Sequence, residues 1–316
     1  MEIKQRKALV TGAAGFIGSH LVDRLLSLNC QVVAIDDLSN GKIEYLQDAL
    51  HNKRFRFIKG TVVDNKLIRK VVNDGIEVIF HLASGNLLTS LEDPKLDVTV
   101  TIQGTLNILE AIKERSSKTV LIFSSTGSVY GEPKYQPQDE NHPLEPVSPY
   151  GISKLAAEKY VLLWHKIYGL QTSALRYYNV YGPRQNYKEK GGVVGIFINR
   201  IKHDKPPIIE GTGKQERCFT FVSDVVEANI RAATYDMALG QAINIGTTEI
   251  TTIHELAYLI LKCLNSKLKP TYVPRRIGDI DEFRPSLQKA KKLLRYTPKV
   301  KLIEGINKTI EWFNSK

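Results

Sequence analysis

The chain has 316 residues, 42% hydrophobic and 24% charged, which is length and apolar content for one large or two intimate globular domains. Its three cysteines, Cys30, Cys218 and Cys263, are far apart and odd in number, and its seven histidines show no ligand spacing, so neither a disulfide framework nor a metal site is expected. The net charge of +11 does not imply nucleic acid: most of the excess lies in residues 262–316, where "LQKAKKLL" sets lysines around Leu287, Leu293 and Leu294 as the solvated face of an amphipathic helix. No apolar run approaches the ~18 residues of a membrane span, and no signal peptide precedes the first apolar strand. The expectation is a reduced, cytoplasmic protein with no membrane and no nucleic acid among its partners.

Taken in chain order, "KALVTG" reads as a short apolar strand, "SHLVDRLLSLN" as a helix and "QVVAIDD" as a second strand. "RFRFIKG", residues 76–84 and "KTVLIFSST" are further strands, with a helix over "VTVTIQGTLNILEAIKE" between the last two. A helix opens at Ser148-Pro149, carries Leu155, Val161, Leu162 and Leu163 as apolar positions, and stops near Gly169; "QTSALRYYNVYG" is the strand after it. Apolar strands alternating with helices predict an α/β, Rossmann-type doubly wound parallel sheet covered by helices on both faces. After about residue 180, Pro, Gly and Lys break the rhythm, which predicts a smaller C-terminal α/β lobe. The boundaries read as residues 1–178 plus about 219–246 for the sheet domain, and about 179–218 plus 247–316 for the lobe.

The first turn, "VTGAAGFIGSH", lies between the first strand and the first helix, with Gly12, Gly15 and Gly18 spaced by three around Phe16 and Ile17. Glycines there let backbone N–H groups and a helix N-terminus approach a pyrophosphate. The second strand ends at Asp36, 18 residues beyond Gly18, where a carboxylate accepts hydrogen bonds from both hydroxyls of an adenosine ribose. That acid repels a 2′-phosphate, and the run Asp36, Asp37, Leu38, Ser39, Asn40, Gly41 supplies no Arg or Lys to receive one. The cofactor expected is therefore NAD, not NADP.

Tyr150 and Lys154 stand four apart on one helical face. A phenol with a free pKa near ~10 is a poor base at neutral pH. A neighbouring ammonium and a positive nicotinamide ring both favour the phenolate, so the pair suits removal of a hydroxyl proton while hydride leaves the same carbon. "FSSTGSVYG" ends a strand at the edge where ligands bind in such sheets, and offers Ser124, Ser125 and Thr126 as hydroxyls toward the reacting oxygen.

Together, "TGAAGFIG", "FSSTGSVYG", "SPYGISK" and "LRYYNVYGPRQ" resemble the extended short-chain dehydrogenase/reductases, the NAD-dependent sugar-nucleotide epimerase/dehydratase family. The similarity runs nearly the whole chain. It implies Tyr150 as base, Lys154 as its partner, Thr126 beside the 4-hydroxyl of the sugar, and Val62, Leu82, Ala83, Ser84 and Tyr178 along the cofactor. It also implies Asn179, Val193, Arg217, Arg276 and Asp279 around the substrate, where arginine forks suit phosphate oxygens. A homodimer is implied as well. Thr61, Thr101, Cys218 and Ser286 depart from the family's usual residues.

The dehydratases and decarboxylases of this family carry an acid just after the Ser/Thr, whereas Gly127 and Ser128 follow Thr126 here. The expected reaction is oxidation at C4 without elimination and return of hydride to the other face. This is 4-epimerisation of a UDP-sugar, of the UDP-glucose/UDP-galactose type or acting on a UDP-uronate or UDP-N-acetylhexosamine. The alternatives are a 4,6-dehydratase or reductase of the same family and, in another class, a non-catalytic NAD-binding sensor.

Overall fold

Short segments rich in Val, Ile, Leu and Phe bury both faces, as parallel strands between helix layers must. A computed structural model describes residues 3–115, 118–188, 191–275 and 281–315. Its central sheet is built from β1 (Lys7–Thr11), β2 (Gln31–Asp36), β3 (Phe55–Lys59), β4 (Val78–His81), β5 (Val120–Thr126), β6 (Gln171–Tyr177) and a late strand, Ala242–Ile245. All pairings are parallel, in the order late strand, β6, β5, β4, β1, β2, β3. The chain reverses direction across the sheet between β1 and β4, the kind of switch point where open α/β sheets bind ligands beyond their strand ends. One large core cluster packs on one face around Val10, Leu21, Phe80 and Leu175, and a second on the other around Leu9, Ile79, Leu121 and Val161. No helix of the described residues is long and apolar enough to cross a membrane.

The helix Pro149–Tyr168 forms for the reasons its sequence gives. Ser148 caps it by accepting from Gly151 N at 3.1 Å, Pro149 fills the first position, and Gly169 ends it at φ +69°. The helix expected over "VTVTIQGTLNILEAIKE" is instead broken into Pro94–Val98, a π-turn at Thr99–Gln103, and Gly104–Glu114. Within the break the Thr105 hydroxyl donates to Thr101 O at 2.6 Å, the back-bonding that bends helices at threonine. Beyond β6 the pairings are small: Glu216–Arg217 lies between Thr251–Thr252 and Glu282–Phe283, and Ile208–Glu210 pairs with Thr271–Val273.

Candidate active site

A cavity of about 720 Å³ opens beyond the C-terminal ends of β1, β2, β4 and β5, within the size range of small-molecule sites. Its first wall is the turn after β1. Gly12 sits at φ +66° with the chain of Leu82–Ala83 so close that a Cβ would come within 2.8 Å of Ala83 N, and a Cβ on Gly18 would collide with Gly12 O. The following helix, α1 (Phe16–Ser27), has no side-chain cap and no acid in its first turn. Its N-terminal N–H groups and dipole therefore stay available to an anion, which is what a pyrophosphate requires.

Asp36 braces this wall. Its Oδ2 accepts from Ala14 N at 2.9 Å and its Oδ1 from Leu38 N at 2.8 Å, so the ribose-side acid also fixes the glycine turn. Burial pushes its carboxyl above the usual value, against those two donors. Asp37, Ser39, Asn40, Gly41 and Val62 line the same end of the cavity, as do Leu82, Ala83 and Ser84 further along. Leu38 is absent from that lining; its backbone N–H serves Asp36 instead.

At the other end, Tyr150, Lys154, Ser124 and Thr126 meet, as expected, with Thr126 hydrogen-bonded to the phenol. Lys154 is 1% exposed, and its Nζ donates to Ser124 O at 2.7 Å beneath the Tyr150 ring, 5.9 Å from the centroid. In the protein chain alone the phenol is not lowered; the expectation joined the ammonium to a bound nicotinamide. Burial comes first at both groups: it pushes Tyr150 up to about 12 and Lys154 down to about 7, because a low-dielectric site penalises either charge. His81 stands behind the wall between Thr11 Oγ1 (2.7 Å) and Thr105 Oγ1 (3.0 Å), and burial drives it down to about 3, hence neutral.

Two further assignments change, Ser125 and Tyr178, and two more residues, Val193 and Arg217, lie off this cavity. Ser125 lines the cavity but spends its hydroxyl on Glu158 Oε2 at 2.6 Å, inside a buried Glu158–Arg176 pair, so it is not aimed at a reacting oxygen. Tyr178 does not reach the cavity: it is fully buried, its ring 4.5 Å from that of Phe283. The cavity residue is its neighbour Tyr177, together with Asn179, because adjacent residues at a strand end face opposite ways. Val193 opens the helix Val193–Lys202, and Arg217 Nη1 donates to Glu216 O at 2.8 Å; neither lines the cavity. Arg276 and Asp279 lie outside the described residues.

The sequence reading missed a whole wall. Asn86 caps the short helix Leu87–Glu92, accepting from Thr89 N while Thr89 Oγ1 takes Asn86 N, and this capped loop places Gly85, Asn86, Thr89, Asp93, Leu96 and Asp97 on the cavity. The Asn–x–x–Thr spacing was the available signal. Gln185 was missed too: it lines the cavity with its Oε1 unpartnered, as is Nδ2 of Asn179, so two buried polar atoms await a polar ligand there. Among the described residues no group of three His, Cys, Asp or Glu is placed to hold a metal ion.

Comparison with known proteins agrees with this geometry. Residues 8–246 match the model of the NAD dependent epimerase/dehydratase family. The chain is 40% identical to a UDP-glucose 4-epimerase of Mycolicibacterium smegmatis, covering 98% of this chain and 99% of that one. It is 33% identical to a UDP-N-acetyl-alpha-D-glucosaminuronate decarboxylase of Bacillus cytotoxicus, covering 98% of each. Its fold superposes with a TM-score of 0.92 on a UDP-glucose 4-epimerase of Thermotoga maritima solved with UDP-glucose, at 37% identity over 98% of this chain and 99% of the other.

Proposed function

Because this chain belongs to the NAD-dependent epimerase/dehydratase family, we propose that it interconverts the C4 epimers of a UDP-sugar through a transient 4-keto sugar. The observation that carries the choice of reaction is the short turn Gly127–Val129, capped by Thr126: where an eliminating enzyme needs an acid, this chain has Gly127 and Ser128. Relatives that decarboxylate exist, so the sugar chemistry rests on that turn and not on likeness alone.

NAD fits the glycine cradle and the uncapped helix, with Asp36 at its adenosine ribose and Lys154 at its nicotinamide ribose. When bound, it accepts a hydride from C4 of the sugar and returns it. Tyr150 takes the proton of the 4-hydroxyl as the hydride leaves and gives it back to the same oxygen afterwards. Thr126, bonded to the phenol, holds that oxygen and the phenol in line. Lys154, together with the positive nicotinamide, draws the phenol down from the high value that burial gives it. Asn179 and Gln185 offer their unpartnered amide atoms to the nucleotide sugar, which we place against the lobe of residues about 179–218 and 247–316.

The test is incubation of the purified protein with UDP-hexoses, UDP-glucuronate and dTDP-glucose, read by proton NMR. The C4 epimer of one donor, without added NAD and without keto or deoxy signals, supports the reading. A 4-keto-6-deoxy or decarboxylated product contradicts it.

A further inference from the structure

Among the described residues, Asp97 is the one wall residue of this cavity that is both acidic and buried beside the Tyr150–Lys154 pair. It is the penultimate residue of the short helix Pro94–Val98, which Asp93 caps by accepting from Leu96 N at 2.9 Å and which runs into the π-turn at Thr99. Its side chain is 3% exposed. Oδ1 takes a long 3.5 Å hydrogen bond from Thr101 Oγ1, and Oδ2 has no partner among the described residues. The backbone crowds it as well: a Cβ on Gly85 would stand 2.5 Å from Oδ1. A carboxylate so poorly served by hydrogen bonds costs free energy unless a cation offsets it.

The cation is at hand. Lys154 lies on the helix packed across from this segment and lines the same cavity. Its own hydrogen bonds go to the neutral carbonyl and hydroxyl of Ser124. The other titratable neighbours do not neutralise it: His81 is held neutral, Tyr150 and Tyr177 are held protonated by burial, and Glu158 one turn along is spent on Arg176. Asp97 is the carboxylate whose field acts on Lys154 and on Tyr150 together.

Resting on the epimerase reading above, we propose that Asp97 is a positioning residue of this site, the buried counter-charge that holds the Lys154 ammonium against loss of its proton and fixes it beneath Tyr150. Thr101, whose hydroxyl donates to Oδ1, then serves to orient that carboxylate.

The sign is fixed by electrostatics. Removing the negative charge makes the ammonium easier to deprotonate and the phenol easier to ionise, so both limbs of the pH–rate profile move to lower pH. The test compares the purified protein with its Asp97→Asn variant, which keeps the shape and the acceptor for Thr101. Two readouts are taken: the pH profile of kcat, and the pH at which the Lys154 Nζ resonance titrates in 15N-lysine-labelled protein, assigned with Lys154→Met. In the variant both limbs and the titration point are expected about one unit lower, with kcat at pH 8 down roughly tenfold and largely recovered near pH 7. A uniform loss of kcat with unmoved limbs, or an unmoved Lys154 titration, overturns the proposal and leaves Asp97 a structural acid. If the variant does not fold, the unmutated protein decides: Lys154 still charged at pH 6.5 supports the proposal, and Lys154 already neutral at pH 6 overturns it. If no UDP-sugar is epimerised, the function fails, yet the lysine titration still reports on Asp97.

Discussion

At the scale of the residue, the site is governed by desolvation more than by charge pairing. Lys154 is held at about 7 in the folded chain against 10.5 for a free lysine, and its first cause is burial. Between those two values the unfolded chain binds more protons than the folded one, so this residue's contribution to stability improves as pH rises from 7 toward 10.5 and is most costly below 7. Lys154→Met removes that cost but leaves the Asp97 carboxylate without its cation, so the pH dependence of the difference is the readout. In the protein stripped of cofactor, the melting temperature of the variant relative to the unmutated chain is expected to be about 3–6 °C more favourable at pH 6 than at pH 10. Melting curves at both pH values check this, and a gap that stays constant with pH contradicts it. The pairing of Tyr150 with Lys154 was legible because a four-residue spacing on a helix has one geometric outcome. The direction of the phenol's shift was not, since depth of burial is set by chain elsewhere.

At the scale of the element, the catalytic helix is tied to the sheet by a buried ionic knot. Arg176 on β6 donates through Nη2 and Nε to the two oxygens of Glu158 at 2.6 and 3.0 Å, and through Nη1 to Tyr130 Oη at 2.6 Å. Tyr130 in turn donates to Asn244 Oδ1 on the late strand at 2.8 Å. Glu158→Ala leaves the Arg176 charge buried and unpaired, and a loss of about 3–5 kcal/mol in urea unfolding is expected. A loss below about 1 kcal/mol would show that the knot is dispensable. The strands of the sheet were legible because parallel strands buried on both faces read as continuous apolar runs. The broken helix at 94–114 was not: a threonine bonding back to the carbonyl four residues before it leaves no trace in the hydrophobic period. The slip from Tyr177 to Tyr178 has a similar origin, since two adjacent tyrosines at a strand end give no hint of which faces the cavity.

At the scale of the molecule, the helix that carries Tyr150 on its inner face leaves Ile152, Leu163 and Ile167 exposed at 57%, 43% and 51% on its outer one. A row of large apolar groups on one helix is where a second copy would bury surface, in keeping with the homodimer that the family resemblance implies. Light scattering is expected to give twice the 35.6 kDa chain mass, and Leu163→Glu with Ile167→Glu to return the single chain; an unmutated monomer would contradict the dimer. The gross layout of sheet, cofactor turn and catalytic helix could be read from motifs in order along the chain, whereas the wall made by residues 85–97 could not, because its place depends on a loop closing over the β4 end. The reaction itself is tested most directly by offering UDP-glucose deuterated at C4, or the donor that the product panel identifies, in ordinary water. Deuterium retained at C4 of the epimer is expected, because the hydride that leaves the carbon returns to it from within the closed site. Deuterium washed into solvent, or found at C6 of a 4-keto sugar, would contradict 4-epimerisation.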